Sequence, residues 1–135
     1  MKHLSIDLGD VRIGLATSDI MGIIANGLET YKRKDIDADI EYIARLVNDL
    51  AVDVVVMGLP INMDGTSGER VDKAREFADL LAQKVTAKID FQDERLTTVT
   101  GERMLIQAGV RREKRKQVID KIAATIILQT YLDSH

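Results

Sequence analysis

VDVVVMG, residues 52–58, is an apolar run of strand length with no alternation in it. A strand of that kind is buried on both faces, so the chain needs a sheet with helices on either side. The flanking segments supply them. Upstream, DIDADIEYIARLVNDLA sets Ile36, Ile40, Ile43, Leu46 (with Val47) and Leu50 three or four residues apart, an amphipathic helix with Asp35 or Asp37 as its N-cap. Downstream, the loop LPINMDGTSG holds the only Pro of the chain, and ERVDKAREFADLLAQKV carries Val71, Ala74, Phe77, Ala78 and Leu81 on one helical face.

The first third reads as three strands, about 2–8, 11–18 and 23–32, joined by Gly9-Asp10 and by DIMG. AKIDFQ is a further short strand, Thr97 or Thr98 can cap a helix running to about Ala108-Gly109, and QVIDKIAATIILQTYLDS is the last and most apolar helix. The order β-β-β-α-β-α-β-α-α predicts one α/β domain over 1–135. Its five-stranded mixed sheet has helices on both faces and, with right-handed crossovers, strand order 3-2-1-4-5. The topology switches between strands 1 and 4, and ligands favour the crevice beyond such a point.

With 135 residues, the chain is one domain in length. It has no Cys, which removes disulfides, thiolate metal sites and a thiol nucleophile. MKHLSIDL is already strand-like and lacks the apolar core of a signal peptide, and no stretch approaches the ~20 apolar residues of a bilayer span. A cytoplasmic location with no membrane partner is expected. The net charge of −3 argues against a generally polybasic coat, yet RREKRK at 111–116 and YKRK at 31–34 concentrate positive charge. Solvated loop and helix-end charge is the plain explanation for both runs, unless they share a side with Asp7.

Asp7, with Ser5, alternates with Leu4, Ile6 and Leu8 in a strand expected to be central, where a carboxylate is expensive to bury on either face. Asp120 falls on the helical face that carries Ala123, Ala124, Ile127 and Tyr131, although an Asp early in a helix also favours the macrodipole. Glu94 follows a buried strand in DFQDERLTT, with Asp93 as its rival. Carboxylates gathered in a crevice repel one another unless a cation neutralises them. Two Asp and one Glu without Cys or a suitable His form an all-oxygen donor set, suited to Mg²⁺ or Mn²⁺ and to activating water against a phosphodiester.

SIDLGDVRIGLATSD, VVVMGLPINMDGTSGERVDKAREFA, DERLTT and VIDKIAATIILQTYLD together resemble the YqgF/RuvX family nearly end to end. The resemblance implies a ribonuclease-H-like fold related to the Holliday-junction resolvase RuvC. It also implies a cytoplasmic nuclease that processes the 5′ end of pre-16S rRNA in ribosome biogenesis. By motif, the catalytic and metal-binding acids would be Asp7, Glu94 and Asp120, the choice of Glu94 over Asp93 leaning on the family. The chain departs from the family at Ala25-Asn26-Gly27, where a Pro is common after GII; this touches a strand bend and not the chemistry.

Further residues are candidates for substrate contact. Gly9 lets the backbone turn tightly beside Asp7, as a phosphate site or as a plain hairpin glycine. Arg12 could meet a phosphate or pair with Asp10. Gly58, Pro60, Asn62 and Gly65 shape a loop at the crevice mouth, while Arg95 and Thr97 adjoin Glu94. Arg111, Arg112, Lys114, Arg115 and Lys116 could grip phosphates. His3 in the first strand reads as structural. With two Phe, three Tyr and no Trp, a base-stacking platform is not expected, and structured RNA (pre-rRNA or a pre-ribosomal particle) fits backbone and shape recognition. The alternatives are a Holliday-junction resolvase acting on DNA and a non-catalytic nucleic-acid-binding module. Monomer and homodimer both stand open. An actin-like ATPase would need two such subdomains, and 135 residues are too few.

Overall fold

Alternating apolar residues around two tight turns build an antiparallel meander of β1 (His3–Leu8), β2 (Arg12–Ser18) and β3 (Ala25–Lys32). The computed structural model describes residues 1–61, 68–94 and 112–135, with 112–120 described by backbone alone. After the meander come α1 (Ile36–Asp49), β4 (Val54–Leu59), α2 (Glu69–Ala82), β5 (Lys88–Asp93) and α3 (Arg112–Ser134). β4 joins β1 in parallel and β5 joins β4 in parallel, giving the expected order β3-β2-β1-β4-β5. The helix expected over 97–109 lies outside the described residues.

The two faces of the sheet follow the period-2 alternation of each strand. Leu4, Ile6, Ile13, Leu15, Val55 and Met57 pack under α1 and α2 with Ile43, Phe77 and Leu81. On the opposite face Ala16, Val54 and Val56 pack against Ala124, Ile127, Leu128 and Tyr131 of α3. All six residues of β4 are buried, as its unbroken apolar run demands. No helix among the described residues is long and apolar enough to cross a membrane.

Local chemistry fixes the boundaries. Asp35 is the N-cap of α1, accepting from the Ala38 amide at 2.9 Å. β3 starts at Ala25 and not 23, because Asp19 Oδ1 accepts from the amides of Ile23 and Ile24 and folds that stretch into a turn. The β2–β3 ladder shifts register between Leu15 and Ala16, which pair with Glu29 and Gly27 and leave Leu28 as an extra residue. Gly27 sits under the stem of Lys121, whose Cε would lie 2.6 Å from any added Cβ. α3 begins at Arg112, so the basic run forms its first turns and does not precede it.

Candidate active site

β1 turns His3, Ser5 and Asp7 toward α3. The His3 ring lies 5.8 Å from Tyr131, and the buried Ser5 hydroxyl donates to the Ala124 carbonyl at 2.6 Å. β1 and α3 therefore run antiparallel. Two residues along the strand advance about 6.7 Å and four along the helix about 6 Å. The backbone of residue 120 thus stands about level with Asp7, one turn before Ala124; the Asp120 side chain lies outside the described residues.

In β5 the same parity decides between neighbouring acids. Asp90 accepts from the Tyr131 hydroxyl of α3 at 2.7 Å, whereas Ile89 and Phe91 pack with the core under α1 and α2. Counting by twos from Asp90 puts Glu94 on the α3 face with Asp7 and puts Asp93 on the other. The Glu94 amide extends the ladder by donating to the Leu59 carbonyl at 3.1 Å.

Asp7 and Glu94 come from strands separated by β4, whose spacing alone would hold their backbones roughly 10 Å apart. They meet through a gap in β4. A side chain at Gly58 would collide with Glu94 Oε2, and its Cβ would lie 2.8 Å from Ile127 Cδ1. Gly58 belongs to β4 itself, as the run at 52–58 predicts and against its grouping with the loop residues: it is absent volume that admits the carboxylate.

The pair is electrostatically loaded. Burial first, then the Asp7 charge and a hydrogen bond shared with Asp7, push Glu94 up from 4.5 to about 9; Arg70 opposes the shift and Asp93 adds to it. Carboxyls this close hold a proton between them, and it belongs to the pair. Glu94 Oε2 is buried with no hydrogen-bond partner. An orphaned carboxylate oxygen in an all-oxygen donor set fits a hard divalent cation. Among the described residues no group of three acids or histidines gathers as a metal site.

The turn beside the pair is braced. The Gly9 amide donates to the Arg12 carbonyl at 2.9 Å, and a Cβ on Gly9 would lie 2.5 Å from that oxygen. Glycine is thus required by the turn. Arg12 opens β2 opposite Lys32, and the ion pair of Asp10 is with Arg70 at 3.7 Å. Arg33, read as part of a surface cluster, is instead a structural cation: Nε meets fully buried Asp39 at 2.9 Å and Nη1 donates to the Gly9 carbonyl at 3.0 Å. Burial pushes Asp39 up, but the Lys34 amide, Arg33 and Tyr31 outweigh it and hold its carboxyl below the usual range. Asp39 and Arg70 were not foreseen. Asp39 has no mark to distinguish it from the other acids of α1, and Arg70 sits in a helix start where charge is ordinary.

Asn62, Arg95, Thr97 and Arg111 lie outside the described residues, as do the side chains of Arg112, Lys114, Arg115 and Lys116. His3 Nδ1 lies 3.1 Å from the Met1 carbonyl.

A family model described as "RuvX: Holliday junction resolvase" matches residues 1–134. A Heliobacterium modesticaldum protein named "Putative pre-16S rRNA nuclease" is 45% identical over 134 residues, covering 99% of this chain and 90% of its own. A Clostridium novyi protein of the same name is 45% identical over 134 residues, covering 99% of each. Among solved structures, T. thermophilus RuvC in complex with a Holliday junction substrate aligns with TM-score 0.62 at 12% identity, over 99% of this chain and 94% of that one. The Fowlpox virus resolvase bound to Holliday junction DNA aligns with TM-score 0.57 at 13% identity, over 99% and 98%. At these identities the likeness is one of fold, ribonuclease-H-like as expected.

Proposed function

The chain belongs to the RuvX family, and on that premise we propose that it is a divalent-metal-dependent nuclease that trims the 5′ end of pre-16S rRNA in the cytoplasm. The observation that carries this reading is the Asp7–Glu94 pair, two acids brought from non-adjacent strands into hydrogen-bond contact beside a buried, unpartnered carboxylate oxygen. Such a pair is costly in a fold and useful in a site that receives a cation.

Asp7, Glu94 and Asp120 would hold Mg²⁺ or Mn²⁺. When bound, the ion lowers the pKa of a water and offsets charge on the phosphoryl oxygens. The chain's own contribution is placement. β1 and β5 fix two carboxylates on one face, Gly58 keeps the space between them open, and the turn at Gly9 presents a low rim to a phosphodiester backbone. Ionisation of the pair would release the proton held between the two acids and leave both carboxylates able to act as ligands. The basic residues from Arg111 to Lys116, just ahead of residue 120 in the chain, would bind phosphates and align structured RNA.

The family description and the fold likeness favour a second reading, resolution of four-way DNA junctions. One experiment separates the two. Cleavage of a pre-16S 5′-leader transcript and of a four-way DNA junction is followed with and without Mg²⁺ or Mn²⁺, for the parent and for Asp7→Asn. The expected result is metal-dependent cleavage of the transcript alone, abolished in the variant, with Mg²⁺ raising the Tm of the parent more than that of Asp7→Asn. Cleavage of the junction alone selects the resolvase. Binding without cleavage under every condition selects a non-catalytic module.

A further inference from the structure

A groove of about 630 Å³ opens on the α1–α2 side of the β1 carboxyl end, across the sheet from Asp7. That volume lies within the ~300–1,000 Å³ of small-ligand clefts. Leu8 and Phe77 line its apolar part, together with Val11, which is 55% exposed, and Ile36. Lys34 stands on one wall and Lys73 on the other, with Asp10 and Glu76 also in the lining, so that a phosphate is met only where a cation gives up a carboxylate. At the end nearer the acid pair, a smaller recess lined by Gly9, Asp10, Arg70 and Lys73 continues it.

The cations there are loosely held. Arg70 meets Asp10 at 3.7 Å, and Lys73 meets Glu69 at 3.4 Å, all four side chains being more than half exposed. Exposed surface pairs of this kind hold weakly, so exchanging a carboxylate for a phosphate costs little. Arg33, by contrast, is locked to Asp39 and to the Gly9 carbonyl, and it keeps the wall rigid. An apolar bed with exchangeable cations at its rim matches one amphiphile well: a nucleotide, with a flat base, a sugar and a phosphate.

We propose that this groove is a subsite for a nucleotide flanking the cleaved bond, its sugar and base over Leu8 and Val11 and its phosphate met by Arg70 and Lys73. The assignment rests on the nuclease reading, because Leu8 follows Asp7 in β1 and a strand crossing that carboxyl end passes from one to the other. It adds a specificity determinant: preference for substrates with an unstacked nucleotide next to the break.

The test uses full-length protein carrying Asp7→Asn, so that binding is read without cleavage. Its probes are an RNA hairpin with a single-stranded 5′ extension and the same hairpin trimmed flush. Val11→Asp and Lys73→Glu, each on exposed side chains, should weaken binding of the extended hairpin about tenfold and leave the flush one within twofold. Lys73→Glu should also lower the salt slope by about 1. Titration with the dinucleotide ApA should shift the amide resonances of Val11, Lys34 and Lys73. Equal losses on both hairpins, no loss, or ApA shifts elsewhere would overturn the subsite alone. A parent chain that binds neither hairpin would overturn this assignment together with the RNA reading.

Discussion

Replacing Glu94 with Gln keeps the shape of the side chain and removes its ability to ionise. In the unfolded chain Glu94 titrates near 4.5, while in the folded protein the pair holds its proton up to about 9. Between those values the unfolded state binds fewer protons, so stability falls as pH rises. For one proton the slope is about 1.4 kcal/mol per pH unit. Below 4.5 both states are protonated and this group contributes no pH dependence. From pH 5.5 to 7.5 the parent should therefore lose about 2.7 kcal/mol through this pair. At roughly 3 °C per kcal/mol for a chain of this size, that is a fall in Tm of roughly 8 °C. Glu94→Gln should lack this component. The assay is thermal unfolding in EDTA across the window, read as the difference in Tm between parent and variant. Saturating Mg²⁺ should flatten the parent's profile, because a bound cation favours the ionised pair. A difference in Tm constant from pH 5.5 to 7.5 would refute the reasoning, whatever its absolute size.

Gly58→Ala should destabilise the protein by about 1–3 kcal/mol in denaturant titration, because its Cβ would press on Glu94 and on Ile127. Its cleavage rate should fall with the acid pair displaced, and a variant of parental stability and activity would show that the gap in β4 is not needed. Arg112→Gln combined with Lys116→Gln should lower the salt slope of RNA binding by about 1 per lost phosphate contact. The single-turnover rate at saturating substrate should change much less, and unchanged binding and slope would leave the run a solvated surface.

The elements that bury the most apolar surface were the easiest to read. β4 is marked by its unbroken run, the meander by period 2 and α1 by a periodic face with Asp35 as cap. The early start of α3 at Arg112 was not legible, because Arg, Glu, Lys and Gln form helix readily yet leave no apolar period to count. Leu28 as an extra residue in β3 leaves no mark in the alternation, and the neighbouring Gly27 lies under Lys121, a contact between segments far apart in the chain. Within the site, Asp7 stood out because a carboxylate is costly in a strand expected to be central. From the residues alone Glu94 and Asp93 stayed rivals, and only the family resemblance favoured Glu94; parity counted from Asp90 separates them, with the hydroxyl of Tyr131 as reference. Arg33 was misread for a similar reason. Its partner Asp39 is six residues on, across a strand-to-helix turn, and only the folded chain brings the two together.

The hydrogen bond from Ser5 to Ala124 is small in energy but long in reach. Two smooth apolar surfaces, a sheet and a helix, have many nearly equal ways of sliding over one another. A buried hydroxyl aimed at a single carbonyl removes that freedom and acts as an index pin for the helix axis. Slippage by one helical turn would carry residue 120 about 5.4 Å along the sheet. The level at which residue 120 stands along the sheet is therefore calibrated from the middle of the molecule, by a serine whose partner carbonyl lies one helical turn further on.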